Sequence, residues 1–120
     1  MKVNVKLQGF EKAIRSIEDY EVNKTEDVKN IVKETAFKMQ ANAKLRTPVD
    51  TGHLKRNINV DIANDELSAE IYTDVEYAPH VEFGTENAPA QPFLFPAYEE
   101  EKNEYMDKLE KALGDRKSVV

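Results

Sequence analysis

Residues 57–74 read NINVDIANDELSAEIYTD. Ile58, Val60 and Ile62 alternate with Asn57, Asn59 and Asp61, and after Asn64-Asp65 the residues Leu67, Ala69, Ile71 and Thr73 resume on the opposite parity. Successive side chains of a strand point to opposite faces, so each half is a strand with one apolar face, and Asn-Asp between them is a turn signal. The stretch predicts an antiparallel hairpin over 57–73. Near the start of the chain, Val3, Val5 and Leu7 alternate with Lys2, Asn4 and Lys6, which predicts a strand over 1–8 in the same sheet. Gly9 breaks that pattern, and Phe10, Ile14 and Ile17 at i, i+4, i+7 predict a short helix over 9–20.

A long helix is expected over 25–46. Thr25 is placed to cap it, Glu26 and Asp27 suit its first turn, and Pro48 prevents it from going further. Val28, Ile31, Val32, Thr35, Ala36, Met39 and Ala43 form its core stripe. Phe37, Ala41 and Leu45 lie on the far side. Either they meet a second surface, such as another subunit, or the helix is sandwiched between two layers of its own domain. A final helix is expected over 97–113, with Tyr98, Tyr105, Leu109 and Ala112 on one face. The class is α+β: a small, mainly antiparallel sheet packed by a long central helix and a C-terminal helix, in a single domain spanning 1–120.

Between the hairpin and the last helix lies YAPHVEFGTENAPAQPFLFPAY, residues 77–98. It holds four of the five prolines and five of the ten aromatic residues. Short Pro-aromatic segments lose little conformational entropy on docking, and aromatic rings supply large apolar contact area. Residues 77–96 read as a preshaped strap over the sheet. Tyr77, Val81 and Phe83 have the spacing of a helical turn, and Gly84 can end that turn with φ > 0. Pro92 and Pro96 flank Phe93-Leu94-Phe95, and Pro96 fits the first turn of a helix. Candidate contact residues toward a subunit or partner are Phe37, Tyr77, Val81, Phe83, Gly84, Pro92, Phe93 and Phe95. The alternative is that the strap aromatics close the domain's own core.

Composition narrows the function. At 120 residues there is enough chain for one core. No apolar run approaches the roughly 20 residues that span a bilayer, and the polar start MKVNVKLQGF does not read as a secretory signal. The chain is therefore expected to stay where it is made. Cysteine is absent, which excludes disulfides and thiolate zinc sites. Net charge is −6, divided between 12 basic and 8 acidic residues in 1–60 (+4) and 5 basic and 15 acidic residues in 61–120 (−10). An acidic whole argues against general nucleic-acid binding. The two halves are either solvated helix faces or surfaces that attract across a subunit boundary.

Little chemistry is visible. Asp50-Thr51-Gly52 matches the active-site triplet of aspartic proteases and would need a homodimer to pair two carboxylates. Its flanks are wrong: Thr47-Pro48 precede it, His53 follows, and no glycine-bearing flap hairpin exists. The structural reading is that Asp50 or Thr51 caps a short helix and Gly52 eases the turn. His80 and Glu82 form H-x-E without the cysteines of a zinc deaminase. Glu99, Glu100, Glu101 and Glu104 read as a helix N-terminus meeting its dipole. No enzyme activity, metal or cofactor is expected; a homodimeric protease or a generic protein-binding module is the alternative.

Three blocks in order carry a resemblance. T-P-V-D-T-G-H-L-K-R-N-I (47–58), E-Y-A-P-H-V-E-F-G-T (76–85) and A-P-A-Q-P-F-L-F-P-A-Y (88–98) resemble the tail-completion or head-to-tail joining proteins of tailed bacteriophages and prophages. The resemblance covers about residues 5 to 110. It departs at Asn57, where serine is more frequent, and at Phe95, where a basic residue is common. It implies structural work: a ring, commonly hexameric, between the capsid neck and the tail tube, contacting a neck protein and a tube protein and leaving a lumen for DNA. It also implies assembly in the host cytoplasm and residence in the virion.

Overall fold

The computed structural model describes residues 2–8, 22–48 and 52–113. The elements run β1 (Val3–Gln8), α1 (Val22–Arg46), α2 (Gly52–Arg56), β2 (Asn59–Ile62), β3 (Ser68–Thr73), α3 (Ala78–Phe83) and α4 (Leu94–Leu113). The class is α+β, with a three-stranded antiparallel sheet ordered β1-β3-β2. The expected helix at 9–20 lies outside the described residues, as do Asp50 and Thr51.

Alternation becomes packing through register. Val5 and Val60 both face Ile71 across β3, and Leu7 and Ile62 both face Ala69. Each row places three apolar side chains on one face, and the central strand is the most enclosed, with Ile71 and Thr73 fully buried. Thr73 keeps its hydroxyl satisfied by accepting the Val75 N–H at 3.3 Å. The hairpin turn departs from the simple Asn64-Asp65 reading. Asp65 Oδ1 accepts the Leu67 N–H at 3.0 Å, but the left-handed position falls on Glu66, with φ 62°. Lys33 on α1 holds that residue through Nζ at 2.7 Å.

Helix α1 lies over this face. Val28, Val32, Ala36, Met39 and Ala43 are fully buried, and Ile31 packs at the margin. Full burial of Val28, Val32 and Met39 contributes about 1.5–3 kcal/mol each, and of the two alanines less. Gln40 Nε2 donates to the Ile58 carbonyl at 2.7 Å and ties the helix to the start of β2. Thr47 closes the C-terminus by donating its hydroxyl to the Ala43 carbonyl at 2.8 Å, one residue before Pro48. At the other end one expectation is corrected. The helix starts at Val22, so Thr25 lies inside its first turn rather than at the N-cap.

Helix α4 runs antiparallel beside α1. Leu109 and Tyr105 are buried, and the Tyr105 hydroxyl donates to the Gln8 carbonyl at 2.7 Å. The solvent edge of the helix pair is a polar seam. Arg46 meets Glu100 at 2.6 Å, Asn42 donates to Glu100 and Glu101 at 2.7 and 2.9 Å, and Lys38 meets Glu104 at 2.8 Å. Lys108 reaches Glu34 at 3.9 Å. The basic and acidic halves of the chain therefore meet within one molecule. Glu100, Glu101 and Glu104 work here and not at the N-terminus of α4: the helix begins at Leu94, and they lie beyond its first turn, as does Glu99, which pairs with Lys102 of the same helix.

These partners shift the seam's titrations. Hydrogen bonding from Asn42, then Arg46 and its charge, lowers the Glu100 pKa. Hydrogen bonding and charge from Lys38 lower that of Glu104. The hydrogen bond to Glu104 and the charges of Glu101 and Glu104 raise that of Lys38. A lowered carboxylate contributes stability that is present above its ordinary 4.5 and is lost as pH falls through the depressed value. A raised lysine contributes below its ordinary 10.5 and loses that as pH rises through the raised value. The seam is thus complete between those limits. The urea midpoint should show a plateau there, and Lys38→Met should lower the plateau slightly and flatten its acid shoulder. The effect should be small, because the pairs face solvent.

Candidate interaction site

The strap is built around one carboxylate. Glu82, near the end of α3, is 2% exposed. Its Oε1 accepts the N–H groups of Phe93 and Leu94 at 3.1 and 2.9 Å, and its Oε2 accepts that of Phe95 at 3.1 Å. Four amides at the start of an α-helix lack an intrahelical acceptor. For α4 these belong to Phe93, Leu94, Phe95 and residue 96, and residue 96 is a proline with no N–H. Three amides and one proline close the account. Burying a carboxylate is costly, but three charge-assisted bonds and the positive end of a 20-residue helix offset the loss of hydration.

The cap decides which rings are inside. Phe93 is fully buried in the core, so its expected role at a contact surface is corrected: it anchors the strap to its own domain. Phe95, two residues on, emerges on the other side and is 37% exposed. Phe83, next to the capping Glu82, is 62% exposed, and the two rings stack at 5.7 Å between centroids, tilted by 45°. An aromatic pair of this kind adds about 0.5–1.5 kcal/mol beyond its buried area, yet here much of both rings still faces water. Tyr77 and Val81 are half-buried against the core, and the Tyr77 ring lies 6.4 Å from that of His53.

Residues 85–92 are exposed throughout but held at both ends. The Gly84 N–H donates to the His80 carbonyl at 2.8 Å and ends α3. Its φ is 80°, and a Cβ there would stand 2.7 Å from the Ala90 nitrogen. Thr85 and Ala88 exchange backbone bonds at 2.8 and 3.3 Å, and the Gln91 N–H returns to the Val81 carbonyl at 2.8 Å. The result is a fixed finger carrying Ala88, Pro89, Ala90 and Pro92 beside the Phe83–Phe95 pair. On α1, Phe37 is 53% and Leu45 82% exposed, with exposed Ala41 between them. Neither the sheet nor α4 covers this line, so among the described residues the sandwiched alternative does not hold.

Other sequence candidates separate. His80 is exposed while Glu82 is buried beneath the helix end, so the H-x-E triplet forms no shared site. Gly52 opens α2, whose Leu54 is buried. Among the described residues, no group of three or more His, Asp or Glu is placed to hold a metal ion, and no helix is long and apolar enough to cross a membrane. Sequence reasoning missed Glu82. Its one signal was a carboxylate set between Val81 and Phe83 in an apolar strap whose next helix brings no acidic residue in its first turn.

Glu82→Gln keeps the shape but replaces one acceptor oxygen with a donor facing N–H groups. We expect a loss of about 2–3 kcal/mol in urea unfolding, with hydrogen exchange of the Phe93–Phe95 amides accelerated more than that of β3. Gly84→Ala should cost at least about 1 kcal/mol by the same measurement, from the left-handed backbone and the clash with Ala90.

The family model described as "Bacteriophage HK97-gp10, putative tail-component" matches residues 11–84, more than half of the chain. That span takes in α1, the sheet hairpin and α3 up to the glycine that ends it. No curated protein and no solved structure matches significantly. A match over that share of the chain shows the family: the chain belongs to the HK97-gp10-like family of bacteriophage tail components.

Proposed function

We propose that this tail component is a structural protein of the head–tail junction, encoded by a phage or prophage, which forms or joins a ring between the neck and the tail tube. It makes and breaks no covalent bond. It is assembled in the host cytoplasm from contacts with neck and tube proteins and remains in the virion. The observation that carries this reading is the exposed Phe83–Phe95 pair on a rigid base. Exposed aromatic rings held by a buried cap and an anchored finger are prepaid for docking, because little conformational freedom remains to be lost. Such rings are typical anchors of protein interfaces.

The test is a particle assay. Phe83→Asp in the encoding phage should leave the isolated protein folded, with the urea midpoint lowered only by loss of the Phe83–Phe95 ring pair, because the side chain is otherwise mostly in solvent. In lysates examined by electron microscopy, heads and tails should accumulate unjoined, and the titre should fall by at least about 100-fold, as expected when an interface anchor worth about 3 kcal/mol is lost. Normal particles at normal titre would overturn the reading.

A further inference from the structure

We infer that the aromatic finger of one copy docks on the outer line of α1 in the next copy, a head-to-tail contact between two different surfaces of the same chain. The inference rests on the ring reading above and names the surfaces that would close it.

Three observations carry it. First, the chain has a protruding apolar feature and a receding one. The protrusion is the finger 85–92 with Phe83 and Phe95 at its base. The recess is an open groove of about 450 Å³ between α1 and α4, walled by Ala41, Leu45 and Asn42 on one side and Glu100 on the other. Leu45, 82% exposed, stands at its rim, and Phe37 continues the apolar line two turns away. Second, the finger is a continuation of α3 and the start of α4, fixed by Glu82 and Gly84, while the α1 line points away from the sheet. A finger anchored in this way does not fold back to cover the α1 line of its own chain. A second copy can, and repetition of such a contact generates a ring or a filament rather than a two-fold dimer.

Third, the charges match. Glu86 sits at the finger's turn and Lys44 beside Leu45 on α1; neither makes an ion pair among the described residues. The remaining charges facing the groove, Lys38, Arg46, Glu100 and Glu101, are already engaged with one another across the seam. Docking the finger's alanines and prolines between Leu45 and the seam therefore strips water from no unpaired charge in the groove. It also brings Glu86 toward Lys44. Complementary placement of this kind sets orientation more than affinity.

The natural chain has no cysteine, so thiols can be introduced cleanly. Two full-length variants, Ala88→Cys and Ala41→Cys, are mixed at high concentration under mild oxidation. Ala88 and Ala41 are both exposed, so neither change disturbs the core. The expected result is a disulfide-linked heterodimer formed at least about 10-fold faster than the homodimer of either variant alone, with Leu45→Asp in the Ala41→Cys copy abolishing that excess. Equal rates in mixed and single samples, or an excess insensitive to Leu45→Asp, would overturn the inference. The outcome separates from the junction reading. If Phe83→Asp blocks head–tail joining but no heterodimer excess appears, the finger meets another tail protein and only this inference falls. If the excess appears and particles of Phe83→Asp are normal, the copy-to-copy contact stands and the junction reading falls.

Discussion

One buried carboxylate organises the strap and the start of α4. Glu82 accepts three amides at the start of α4, and Pro96 removes the fourth donor. Without that cap, three buried or half-buried amides would need other partners, and the strap would have no reason to turn inward at Phe93 and outward at Phe95. The cap also joins two helices that the chain itself separates by ten residues, 84–93. The position of Phe83 and the position of Phe95 are thereby one variable, and the stacked pair follows from it. Gly84 completes the arrangement, because a left-handed residue without Cβ is what lets the finger return close over the end of α3.

The same division of labour holds along α1 and α4. Apolar contact between the helices and the sheet supplies the energy, while the polar seam sets how the helices slide against each other. Arg46 opposite Glu100, Lys38 opposite Glu101 and Glu104, and Lys108 opposite Glu34 fix one antiparallel register. A shift by one turn in one direction would bring Lys38 level with Lys108, and in the other it would draw Glu100 away from Arg46. Surface pairs of this kind contribute little each, but their sum discriminates between registers that bury similar apolar area. The charge asymmetry between the two halves of the chain is thus partly used before any second molecule is present.

Strands and stripes were legible because their signal is local. Val3, Val5 and Leu7, the two runs of the hairpin, and the α1 stripe from Val28 to Ala43 each report their own burial by period alone. The far-side placement of Phe37 and Leu45 follows from the same geometry. What period could not supply was pairing at long range. The apolar strap leaves open which ring turns inward, and that choice between Phe93 and Phe83 is made by an acid 11 residues before Phe93. A carboxylate beside an apolar run reads as solvated until its acceptors are known. The start of α4 at Leu94 rather than at Ala97 has the same cause, since a helix can begin as soon as its first amides find an acceptor. Glu66 in the left-handed region was equally hidden: Asn64 and Asp65 are the better turn formers, and it is Asp65 bonding to Leu67, with Lys33 holding the glutamate, that shifts the strain by one position.

Exposed and buried work are kept on opposite sides of the same elements. α1 presents Met39 and Ala43 to the core and Phe37, Ala41 and Leu45 to solvent; residues 93 and 95 divide in the same way about the start of α4. A subunit of the proposed ring needs that separation. If the apolar groups that contact a neighbour also closed the monomer's core, an unassembled subunit would be open and prone to non-specific association. Here the core is complete without them, and the outer groups are few, rigidly held and bordered by charge. In the proposed ring, the free chain can therefore persist folded until a neighbour arrives, and the order in the finger means that such docking would draw on surface burial without first having to organise a loop.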